Sequence, residues 1–144
     1  MTEKQKLAHF VKLANLYRKR FTIDNKFDIS VVKGEDDSKG VDDDMPHWLA
    51  LEEQVVTSLT KSLIGPQRYK RYETIMDNLK GKGTLAWMDD EMANYWRLKI
   101  VVYPLLLTLD GDDFKLFAEV ICCHELLHIV LLPLSSYTKH LEGK

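Results

Sequence analysis

"LDGDDFKLFAEVICCHELLHIVLLP", residues 109–133, decides the fold of this chain. It opens with aspartates suited to capping, runs apolar for about five helical turns and stops at Pro133. This pattern predicts a helix over 112–132 that is apolar nearly all round, and therefore buried. His124, Glu125 and His128 interrupt it, set among Val120, Ile121, Leu126, Leu127, Ile129, Val130, Leu131 and Leu132. A carboxylate and two imidazoles in such surroundings cost several kcal/mol unless hydrogen bonds, partners or a cation compensate.

Working outward, "YWRLKIVVY" at 95–103 alternates Trp96, Leu98, Ile100 and Val102 with Arg97 and Lys99, as a half-buried strand does. "TLAWMD" at 84–89 reads as a strand before it, and "FDISVV" at 27–32 as another nearer the N-terminus. Leu7, Phe10, Val11, Ala14 and Tyr17 recur at helical spacing behind a capping Thr2, predicting a first helix that ends near Arg20. Asp44 and Pro46 introduce a second helix with Trp48, Leu51, Val55, Leu59 and Leu63 along one face, stopped by Gly65 and Pro66. Tyr69, Tyr72, Ile75, Met76 and Leu79 mark a third, closed by the glycines of 81–83. The order is helix, strand, two helices, two strands, buried helix and short tail. It predicts one α+β domain over 1–144, with a small, mainly antiparallel or mixed sheet packed on the buried helix and 45–80 as a helical insertion.

Composition bounds the function. Of 144 residues, 45% are apolar and 29% charged, with a net charge of -2, the balance of a soluble globular chain. The basic runs "YRKR" at 17–20 and "RYKR" at 68–71 are short and separate, so nucleic acid is not the expected partner. The aspartates of 36–44 lack the ordered alternation of a calcium loop. Cys122 and Cys123, the only cysteines, are adjacent, which excludes a disulfide framework and points to a reducing, cytoplasmic setting. "MTEKQKLAHF" has no apolar signal region. The long apolar stretch carries Lys115, Glu119 and the polar trio, too costly a load for lipid, so no membrane span is expected.

The trio has a chemistry of its own. Residues four apart on a helix stack on one face, so His124 and His128 can aim both imidazoles at one point. Zn2+ accepts that pair and leaves room for a further protein ligand and a water. Glu125, one position on, is turned to the side, where it reaches the water rather than the metal and acts as general base for attack on a peptide carbonyl.

HExxH on such a helix, with the strands 84–89 and 95–103 before it, resembles the minimal zincin-type metallopeptidases, including SprT-like and phage-encoded domains. The resemblance covers roughly the last 60 residues. It implies a zincin-like fold, a cytoplasmic zinc peptidase acting on a peptide or protein substrate, and substrate capture by strand addition along 95–103. It also implies a third ligand downstream of His128. Leu131 and Leu134 stand where the metzincin pattern needs glycine and histidine. His140 is then the first candidate, matching the other imidazoles, and Glu142 the second; Tyr137 is a candidate oxyanion donor. The alternative function is a non-enzymatic module that retains the fold to bind a protein partner.

Overall fold

The computed structural model describes residues 1–23, 28–34, 47–79, 86–88, 97–102 and 104–131; for 47–52, 86–88, 97 and 98 it describes the backbone. The elements are α1 (Glu3–Arg20), β1 (Asp28–Lys33), α2 (His47–Ile64), α3 (Pro66–Leu79), β2 (Ala86–Met88), β3 (Arg97–Val102), α4 (Pro104–Leu107) and α5 (Gly111–Val130). The aspartate-rich residues 36–44, Pro46 and the whole tail from 132 lie outside the described residues.

Helix α5 is the axis of the molecule. Twelve of its 20 residues are buried, among them Phe114, Phe117, Leu126 and both cysteines. Its extensive neighbours are α1, α2 and α3. Phe10, Ala14 and Tyr17 of α1, Val56 and Ile64 of α2, and Tyr69 and Ile75 of α3 join it in one apolar core. The residues of a helix that is apolar all round can be dry only when other helices enclose it, which is the arrangement seen.

The expected sheet-on-helix architecture is therefore corrected. Helices make up most of the described residues, and the sheet stands beside α1 rather than forming the layer on which α5 rests. The sheet's extended ladder is parallel, not antiparallel: β1 pairs with β3 from Asp28↔Arg97 to Lys33↔Val102. β2 adds a three-residue antiparallel stub on the other side of β3, giving the order β1-β3-β2. The physical reason lies in apolar area: among the described side chains, α1, α2 and α3 together give α5 Phe10, Ala14, Tyr17, Val56, Ile64, Tyr69 and Ile75, whereas β3 sends Ile100 and Val102 into the core. Being central, β3 also has both edges occupied at residues 100–102, which removes it there as the strand that would accept a substrate.

Local chemistry sets the helix ends. Thr2 and Gln5 form a reciprocal capping box on α1. Gly65, at φ +101°, makes the turn between α2 and α3 that an L side chain would resist. Asp110 occupies the N-cap position of α5 without capping it, because its carboxylate accepts from Lys6 at 2.9 Å. Lys6 also donates to the Leu107 carbonyl at 2.7 Å, tying the start of α1 to the entry of α5.

The face that α2 buries differs from the one its leucines suggested. Val56, Thr60 and Ile64 are buried, while Val55, Leu59 and Leu63 stand 40–50% exposed. The Thr60 hydroxyl satisfies itself by donating to the Val56 carbonyl at 2.7 Å, which makes a hydroxyl tolerable at a dry position. No helix among the described residues is long and apolar enough to cross a membrane.

Candidate metal centre

Three ligand-type side chains converge from two helices. His124 and His128 lie on adjacent turns of α5, their ring centroids 5.1 Å apart. Facing them from α2, Glu53 reaches both: one carboxylate oxygen is 2.5 Å from Nε2 of His124 and the other 2.9 Å from Nε2 of His128. One ligand atom from each lies within 4.8 Å of the others.

Glu53 is one helical turn before Val56 and two before Thr60, so the buried phase of α2 aims its carboxylate at α5. Burial by itself pushes its pKa up. Hydrogen bonds from His124 and His128, with their charge, outweigh that and hold the carboxyl down at about 2. It is thus an anion at any ordinary pH, ready for a cation.

The donor set fits zinc. Tetrahedral zinc with nitrogen and oxygen ligands at about 2.0–2.1 Å separates them by about 3.3 Å. The carboxylate stands slightly closer to the imidazoles than that, and a withdrawal of less than about 1 Å would admit an ion. With Nε2 free of its proton, the two imidazoles would supply nitrogen donors beside one carboxylate oxygen, leaving a fourth position for water. Glu125 follows His124 by one residue, about 100° round the helix, and is partly exposed.

The residues singled out in the sequence separate clearly. His124 and His128 come together; the remaining candidates His140 and Glu142, like Tyr137, lie outside the described residues. Glu53 was missed because the third ligand was sought downstream, following the resemblance, and because the leucine phase of α2 turned attention to the wrong face. The available signal was an acidic residue in register with Val56, Thr60 and Ile64, the second stripe of α2.

Other polar residues serve packing. Glu119 accepts from the Tyr17 hydroxyl at 2.9 Å and from Arg68 at 2.6 Å, pinning α1 and α3 to α5. Cys122 is buried against the Phe10 carbonyl, and burial pushes its thiol pKa far up. The Cys123 thiol, raised to about 11 chiefly by burial, stands outside the cluster. His9 sits 6.2 Å from the Phe114 ring and lines a cleft of about 690 Å³ between α1, α3 and α5. That cleft includes Glu119, about 140° round α5 from His124, so it opens away from the cluster. Its arginines are already committed, Arg68 to Glu119 and Arg71 to Asp113.

Comparisons with family models, curated proteins and solved structures return no match for this chain.

Proposed function

We propose that the protein is a zinc-dependent hydrolase of peptide bonds, with Glu53, His124 and His128 as metal ligands and Glu125 as general base. The observation that carries this reading is the meeting of Glu53 with the two HExxH imidazoles, which completes a three-ligand set of the kind catalytic zinc uses. Zinc held there would supply Lewis acidity to a water and to the substrate carbonyl. Glu125 then takes the proton from the attacking water and returns it to the departing amine. Glu53 and the histidines keep the donor geometry rigid, because each projects from a packed helix. The two free, buried thiols support a reducing, cytoplasmic setting as part of the same reading.

Measuring zinc per chain together with hydrolysis of an unfolded fluorescent protein tests it. One equivalent of zinc and measurable hydrolysis are expected, with Glu125→Gln retaining the zinc and losing at least about 100-fold in rate. A folded protein that takes up no zinc would end the hydrolase reading. The exposed ridge of Val55, Leu59 and Leu63 favours a second reading, a module that contacts another protein through α2. Zinc-independent capture of a partner, abolished by Leu59→Lys, would support it.

A further inference from the structure

The cleft between α1, α3 and α5 has no part in the metal centre. Its volume, about 690 Å³, suits a small organic molecule. Leu13, packed against the core, and the buried Leu116 give it an apolar wall. Charge lines the rest, and most of it is matched: Glu119 spends both oxygens, one on Tyr17 and one on Arg68, and Asp113 answers Arg71. The Arg71 pair is the looser, at 3.3 Å through a single nitrogen, so its guanidinium keeps most of its N–H donors. Two cations remain, Lys115 in the cleft and Lys12, one turn from His9 on α1. Both are exposed, and neither has a hydrogen bond or ion pair among the described residues. Asp112 alone stands against them, in the first turn of α5, where the helix dipole already favours a negative charge. Positive charge is thus in excess here, in a chain whose net charge is -2. We propose that this cleft binds a small phosphomonoester, its phosphate held by His9, Arg71 and Lys115 and its organic body resting on Leu13 and Leu116.

His9 registers the sign of the local field. Burial holds its pKa below the ordinary value, and repulsion from Lys115 and Lys12 adds to this against the opposite pull of Glu119. The imidazole is therefore neutral at neutral pH and keeps one N–H to donate. Donors arrive from three helices, His9 from α1, Arg71 from α3 and Lys115 from α5. They can surround a tetrahedral anion, whereas a planar carboxylate is satisfied by one guanidinium fork. The cleft opens away from the Glu53, His124 and His128 cluster, so this site stands or falls independently of the metal reading.

The test is calorimetric titration of phenyl phosphate into the full-length protein after chelator treatment and desalting, so that no metal offers the probe a second site. Phenyl phosphate should bind at least about fivefold tighter than inorganic phosphate, through partial burial of its ring, and tighter than benzoate. Lys115→Ala and Arg71→Ala, both at exposed positions that tolerate truncation, should each weaken it by about tenfold, as loss of a charge-assisted hydrogen bond does. Lys70→Ala removes the same charge from α3 outside the cleft and should leave the affinity within about twofold. A folded parent that shows no saturable binding at millimolar probe overturns the proposal. So does inorganic phosphate or benzoate binding as tightly as phenyl phosphate, or an equal loss in Lys70→Ala and Lys115→Ala, which would leave general charge attraction as the whole effect.

Discussion

Glu53→Gln is the sharpest perturbation of the candidate centre. It retains the size and one oxygen of the side chain but removes the negative charge that faces both imidazoles at 2.5 and 2.9 Å. Apparent binding of about 10–16 kcal/mol for a four-ligand zinc site corresponds to roughly 3–4 kcal/mol per ligand. Loss of the carboxylate ligand should therefore raise the zinc Kd about 100-fold to 1000-fold. Competition against a chromophoric chelator at neutral pH reads this directly, with far-ultraviolet circular dichroism to show that α2 remains folded. His140→Ala, measured beside it, should change the Kd far less. A Glu53→Gln protein that binds zinc within about threefold of the parent refutes the assignment. If His140→Ala then carries the loss, the third ligand belongs to the tail and Glu53 is a structural partner of the histidines.

The same carboxylate makes the metal-free protein sensitive to acid. Its folded pKa of about 2 lies below the ordinary 4.5, so its contribution is complete above that value and is lost as pH falls from 4.5 toward 2. With the side chain 34% exposed, solvent screening reduces the effect to about 1–2 kcal/mol. Denaturant titrations should show the gap between parent and Glu53→Gln narrowing by about 1 kcal/mol from pH 6 to pH 3, and an unchanged gap contradicts the linkage. The packing phase of α2 is tested by charge: Leu59→Lys on the exposed ridge should alter stability by no more than about 0.5 kcal/mol. Val56→Asp, one turn earlier on the buried face, should cost at least about 3 kcal/mol or prevent folding, and equal effects at the two positions would overturn the observed phase.

Read alone, the sequence determined the order of the elements apart from the short α4, the capped first helix and the burial of the HExxH helix. Each follows from information within a few residues: Thr2 and Gln5 at a cap, Gly65 and Pro66 at a break, and an apolar run from Leu116 interrupted by Glu119 and the HExxH trio. It also picked out His124 and His128, because i and i+4 share a helix face whatever surrounds them. The tertiary structure alone decided what faces them. Glu53 lies 71 positions before His124 in the chain (124 minus 53), and only the packing of α2 on α5 brings them together. The exposed and buried sides of α2 were equally out of reach. Val55, Leu59 and Leu63 make as good an apolar stripe as Val56, Thr60 and Ile64, and periodicity records a stripe without recording what covers it. Strand partners depend likewise on contacts distant in sequence, which is why the parallel pairing of β1 with β3 across α2 and α3 emerged only from the folded chain.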